Sequence, residues 1–348
     1  MRRGEGAGTM LMRVTLAALA AMLLCAPVAA RTATAATATF SNPLLPSGPD
    51  PWVAQRDGWY YYTHTLGDRI ALWKTRDITR LAEATPVVVW RAPANGPNSH
   101  SVWAPELHYL KGKWYLYYSA SDRRHDDDAH RHSFVLENAS DDPTRGTWVD
   151  KGMLKTAHPG IDGTVFELRG RLYFVYSAYI GDHSDLIIAP MANPWTLSPQ
   201  QVDIAHPTHR WEMQGGRKIL EGPEFLQGPS GKVFLTYSAS ACWSDDYALG
   251  LLSASADADL TDPASWTKSA QPVFAKSAAN GVYAPGHNGF FKSPDGKQDW
   301  IIYHATTGPG WKCKQRSPRI QRFDWRRDGV PDFGLPVKTG VPQAAPSR

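Results

Sequence analysis

The chain has 348 residues, with 37 Lys and Arg against 33 Asp and Glu, a formal charge of +4 and no basic run. That balance gives no footing for nucleic acid, whose recognition needs a concentrated basic face. The 14 Trp, 14 Tyr, 29 Gly and 27 Pro describe aromatic strands broken by many turns, and rings at that density suit sugar stacking.

The chain opens with basic residues, an apolar run from Val14 to Leu24 and the small-residue stretch Val28-Ala29-Ala30. This pattern predicts a secretory signal peptide over 1–30, cleaved after Ala30, with an apolar run too short to anchor in a bilayer. A flexible leader rich in Ala and Thr is expected over 31–39, then a single domain over 40–340, acting as a monomer and outside any membrane. Once Cys25 leaves with the signal, Cys242 and Cys313 remain. In an oxidising compartment they either pair or stay as two isolated thiols, and both readings stand at this point.

From residue 50 onwards one unit recurs five times. A turn glycine (Gly58, Gly112, Gly170, Gly231 and Gly296) is followed by an aromatic-rich strand such as Trp114-Tyr115-Leu116-Tyr117-Tyr118. The spacing is roughly sixty residues. Three of these strands end in Ser-Ala, at Ser119, Ser177 and Ser238. Each glycine is preceded by a short strand, so each unit begins as a β-hairpin. Further β-like runs follow, and no amphipathic helix stands out. Four strands per unit and five units predict an all-β, five-bladed β-propeller, with four-stranded sheets arranged around a central channel.

The first strand of each blade should line that channel. In this chain those strands carry Asp50, the segment Trp103 to Glu106, Asp162, Glu221 and His287, with Asp50, Asp162, Glu221 and His287 lying eight to ten residues before their turn glycines. Three carboxyl groups from three blades then converge on one pocket, the arrangement that glycoside hydrolysis uses. Glu224 stands three residues after Glu221 and is expected on the opposite face of its strand. Glu106 and Glu224 are read as supporting acids. The run Arg123 to His132 lacks regular ligand spacing and reads as a solvated loop.

Asp50-Pro51, the segment Ile161-Asp162-Gly163-Thr164-Val165-Phe166 and Glu221-Gly222-Pro223, in that order and each opening its own blade, resemble glycoside hydrolase family 43. The resemblance implies a five-bladed propeller and an inverting mechanism. Asp50 would be the general base, Glu221 the general acid, and Asp162 the residue that orients and tunes that acid. It also implies substrate contacts from Trp103, Ile161 and either Arg316 or Arg319. His287 would sit near the axis beside a structural calcium ion, with no cofactor required for chemistry. Asn42-Pro43-Leu44 and Pro331-Asp332-Phe333-Gly334 are most similar to the exo-acting α-L-arabinofuranosidase branch, which implies a secreted enzyme acting on arabinan or arabinoxylan. β-Xylosidase and endo-arabinanase share the same trio. A carbohydrate-binding propeller without catalysis and a retaining fructan hydrolase are the readings from other classes.

Overall fold

The computed structural model describes residues 38–311 and 313–348. The expected signal peptide and most of the leader lie outside the described residues.

Turn chemistry builds the hairpins. At Asp57-Gly58, Lys111-Gly112 and Arg169-Gly170 both residues have positive φ, the two-residue reversal whose twist matches antiparallel strands. After β1 (Thr39–Phe40), blade 1 is β2 (Trp52–Arg56), β3 (Trp59–Thr63), β4 (Arg69–Thr75) and β5 (Val87–Arg91). Blade 2 is β6 (His100–Leu110), β7 (Lys113–Ser121), β8 (His132–Asn138) and β9 (Val149–Met153). Blade 3 is β10 (Gly160–Leu168), β11 (Arg171–Ile180) and β12 (His183–Asn193), with β13 (Thr196–Leu197) and β14 (Val202–Ala205) both on β12. Blade 4 is β15 (Lys218–Gln227), β16 (Lys232–Ala239), β17 (Ala248–Ser255) and β18 (Thr267–Lys268). Blade 5 is β19 (Tyr283–Lys292), β20 (Asp299–Thr306), β21 (Ser317–Trp325) and β22 (Pro331–Asp332). A short parallel contact between β12 and β15 joins the sheets of blades 3 and 4. The only helical segments among the described residues are short 3₁₀ turns, and none is long and apolar enough to cross a membrane.

The aromatic second strands explain how the ring holds together. Five apolar clusters fill the five blade junctions, including Tyr61 with Trp114, Tyr117 with Phe174 and Phe234 with Ile301. Burying each such side chain contributes about 1.5–3 kcal/mol, so every junction is an apolar seam. The ring closes where β23 (Gln343–Ala344) pairs with β1 and the Asn42 side chain bonds both backbone groups of Ile320. Packing continues past residue 340: Ser347 Oγ donates to Asp295 at 2.8 Å and Arg348 to Asp77 at 2.6 Å.

Candidate active site

The innermost strands share one irregularity, and it builds the site. At Asp50, Ala104, Asp162, Gly222 and His287, one per blade, the backbone turns left-handed with φ between 42° and 56°. Four are not glycine, and such strain is characteristically concentrated at functional sites. In four blades a register shift accompanies the turn, between Trp103 and Glu106, Ile161 and Thr164, Glu221 and Glu224, and Gly286 and Gly289. The bulge re-aims the side chains on either side of it.

A ring of bonds fixes these turns. In four blades the N–H of the turned residue reaches back to the second strand of the blade before it, or, at Thr65, to the residues just past that strand's end. Ala104 donates to Thr65 Oγ1 (2.7 Å), Asp162 to Ser119 Oγ (2.9 Å), His287 to Ser238 Oγ (2.7 Å) and Asp50 to His304 Nδ1 (3.1 Å). Only at blade 4 does the pattern change. There Gly222 N–H donates to the Asp162 carboxylate at 3.1 Å, and Ser177 instead bonds the Leu220 carbonyl at 2.7 Å. The recurring Ser-Ala ends of the second strands thus hold the neighbouring blade's bulge.

The pocket takes its lining from two adjacent positions of this repeat. The turned residues supply Asp50, Asp162 and His287, the preceding ones Trp103, Ile161 and Glu221, and the volume is about 290 Å³. Thr65, Arg316, Cys242 and Cys313 complete the walls. Such a volume lies at the small end for ligand clefts and suits one sugar unit. A larger groove of about 460 Å³ beside Trp211 has one carboxyl group, Asp246, in its lining.

Asp50 and Glu221 are pushed in opposite directions. Asp50 Oδ1 accepts from Arg316 at 2.8 Å and Oδ2 from Thr65 at 2.6 Å. Because the Thr65 oxygen already takes the Ala104 N–H, its own proton is directed at the carboxylate. Burial would raise the Asp50 carboxyl, but Arg316 first and then His287 and His304 hold it well below the usual carboxylate range. Glu221 Oε1 accepts from the Tyr247 hydroxyl at 2.7 Å. Burial above all, aided by the Asp50 charge and opposed by that bond, pushes Glu221 up to about 7. Two carboxyl groups lining one pocket are thus biased toward opposite protonation states at one pH. Asp162 is also held well above the carboxylate range, by burial and then by Glu221. Asp162 and Glu221 therefore resist ionising together, though burial is a stronger cause than the like-charge repulsion expected from sequence.

His287 lies with Nδ1 3.5 Å from Asp50 and 3.8 Å from Asp162, and burial lowers its pKa. Its ring packs over Gly222, where a β-carbon would press on it. Trp103 is half-buried, with the Arg131 guanidinium 4.0 Å from its ring centroid.

Several expectations need correction. Arg319 does not reach the pocket: it is fully buried in β21 and donates to Thr339 Oγ1 at 3.0 Å. Arg316, just ahead of that strand, is the arginine at the site. Glu224 is not turned away from Glu221. Glu221 pairs with Ser238 and Glu224 with Thr236, and the extra residue in the bulge puts both acids on one face. Glu224 is buried, its pKa raised by burial and then by Glu106, and Glu106 contacts His108 at 2.8 Å. The histidine-rich run is not wholly a solvated loop, since Arg131 is buried on Trp103 and paired with Asp126 and Asp128. Sequence reasoning passed over Thr65, Tyr247, His304 and Arg131. Aligning the repeats would have found Thr65, at the position held elsewhere by the serine of Ser-Ala; no sequence signal marks Tyr247.

The comparisons with known proteins agree with this geometry. The chain is 40% identical to the "Extracellular exo-alpha-(1->5)-L-arabinofuranosidase" of Streptomyces avermitilis, over 95% of this chain and 70% of that protein. It is 41% identical to "Alpha-L-arabinofuranosidase 43" of Humicola insolens, over 86% of this chain and 64% of that one. Among solved structures, the α-L-arabinofuranosidase of Lactobacillus brevis superposes with a TM-score of 0.82 at 35% identity, covering 87% of this chain and 98% of that one. The sequence profile "Glycosyl hydrolases family 43" matches residues 40–331, and the chain belongs to that family.

Proposed function

We propose that the protein is a secreted, exo-acting α-L-arabinofuranosidase that releases L-arabinofuranose from arabinan or arabinoxylan with inversion at the anomeric carbon. The observation that carries this reading is one small pocket holding a locked, ionised Asp50 and a proton-bearing Glu221, in a chain about 40% identical to enzymes with that name. Asp50 takes a proton from water as the water oxygen bonds to the anomeric carbon. Glu221 gives its proton to the glycosidic oxygen as the bond to that carbon breaks. Solvent then returns Asp50 to the carboxylate and Glu221 to the acid. Inversion requires the two groups on opposite sides of the sugar, far enough apart to admit the water. Asp162 orients Glu221 through the Gly222 N–H, Trp103 and Ile161 hold the sugar, and Arg316 keeps the Asp50 carboxylate in one orientation.

Around His287 the protein itself supplies few oxygen ligands, the Asp50 and Asp162 carboxylates lying nearest its ring. Calcium takes six to eight oxygens, whereas among the described residues no group of three or more His, Cys, Asp or Glu is arranged to hold a metal ion. No step of the mechanism runs through one. The disulfide between Cys242 and Cys313 suits an oxidising compartment and supports secretion.

The test is a substrate panel: p-nitrophenyl α-L-arabinofuranoside, p-nitrophenyl β-D-xyloside and linear arabinan. Nitrophenol from the arabinoside and free arabinose from arabinan are expected. Preference for the xyloside, or oligosaccharides cut from within arabinan, would move the reading to β-xylosidase or endo-arabinanase. Binding of arabinan without turnover of anything would favour a non-catalytic propeller.

A further inference from the structure

Two loops meet at the wall of the pocket. Residues 240–247 leave β16 and end on Tyr247, which holds Glu221. Residues 307–311 leave β20, and residues 313–316 end on Arg316, which holds Asp50. Cys242 in the first loop and Cys313 in the second are joined by a disulfide spanning 71 residues of sequence, and both line the pocket. A parallel tie runs between the same loops, where Gly310 N–H donates to Asp245 Oδ1 at 2.8 Å.

Cys313 also touches the clamp directly. Its carbonyl accepts from Arg316 Nε at 3.1 Å while Arg316 Nη1 donates to Asp50 at 2.8 Å. The guanidinium is therefore held by Cys313 at one edge and by the carboxylate at another. Cys313 and Gln315 have φ of 63° and 56°, conformations that non-glycine residues keep only where their surroundings over-determine them. The disulfide is the covalent part of those surroundings.

We propose that the Cys242–Cys313 disulfide is a positioning element for catalysis, joining the loop that clamps the base to the loop that clamps the acid and holding Arg316 on Asp50. The inference rests on the reading of Asp50 and Glu221 as base and acid. A staple that served stability alone would lower the unfolding temperature and leave turnover by the folded enzyme unchanged. A positioning element changes kcat through Arg316, because misplacing a catalytic group by about 1 Å can cost about a hundredfold.

The test is a cycle of four proteins: wild type, Cys242→Ser/Cys313→Ser, Arg316→Ala and the triple variant. Each is assayed for kcat and KM on p-nitrophenyl α-L-arabinofuranoside, below its own thermal transition. Loss of the disulfide should lower kcat about tenfold or more with KM within about twofold. In the Arg316→Ala background the further loss should be under about twofold, since coupled residues are non-additive. If the serine variant does not fold, reduction of folded wild type and Arg316→Ala with a phosphine gives the same four corners. Both cysteines are partly exposed, and a thiol count verifies the reduction. Unchanged kcat without the disulfide, or equal losses in both backgrounds, overturns the proposal. A wild-type enzyme inactive on the arabinoside would instead sink the functional reading on which it rests.

Discussion

Replacing Asp50 by asparagine should lower kcat/KM for arabinosides about 10⁴-fold, the upper range for loss of a positioned proton-transfer group. In free-energy terms that is about 5 kcal/mol of transition-state stabilisation. The amide keeps the size of the side chain, so the pocket stays filled, but it cannot take a proton from water. Nor can it keep the charge that pairs with Arg316 at 2.8 Å. Because Arg316 is only 17% exposed, some stability is lost as well, and thermal unfolding measured alongside separates the two effects. Removing the side chain with Asp50→Ala opens space for a small anion. Azide should then restore turnover of an activated arabinoside, giving an arabinosyl azide of inverted configuration. A variant that turns over within about tenfold of wild type would remove Asp50 from the base position.

Replacing Glu221 by glutamine should cost an amount set by the leaving group. Arabino-oligosaccharides leave as poor alkoxides and need a proton, so their hydrolysis should fall about 10³-fold. Dinitrophenolate leaves unaided, and its arabinoside should lose less than about tenfold. Equal losses on both substrates would mean that Glu221 does not supply the proton. The pH profile tests the same assignment. Asp50 must be ionised, and with its pKa well below the usual range activity persists into mild acid. Glu221 must be protonated, and with its pKa pushed up to about 7 kcat/KM falls as pH rises through that value. In Glu221→Gln the group that sets this limb is gone, so the fall near 7 should vanish from what remains of the activity.

Much of this architecture is local, and so legible in the sequence. Each hairpin carries its turn residues, such as Lys111-Gly112, beside the aromatic strand that packs into a blade junction. The three acid-bearing motifs open separate blades, so the propeller brings them together once the repeat is recognised. The offset between Asp162 and Glu221 is not legible. Asp162 stands at the left-handed turn itself and Glu221 one residue ahead of it, because the bulge is set by pairing with the neighbouring strand, which distance from a turn glycine does not measure. The same bulge brings Glu224 round to the face of Glu221. Arg316 reaches Asp50 from the other end of the chain, and only the closed ring makes them neighbours, while Tyr247 reaches Glu221 from the loop between the second and third strands of its own blade. The Ser-Ala repeats are plain in the sequence, yet their purpose appears only when Ser119 and Ser238 accept the N–H groups of Asp162 and His287.

The central claim is that Asp50 directs water onto the face opposite the leaving group that Glu221 protonates. Proton NMR of the first sugar formed from an α-L-arabinofuranoside, recorded before the anomers equilibrate, reads this directly. Inversion gives the β-anomer of L-arabinofuranose as the initial product. The α-anomer appearing first would contradict it, since retention requires a covalent intermediate and a nucleophile close beside the acid.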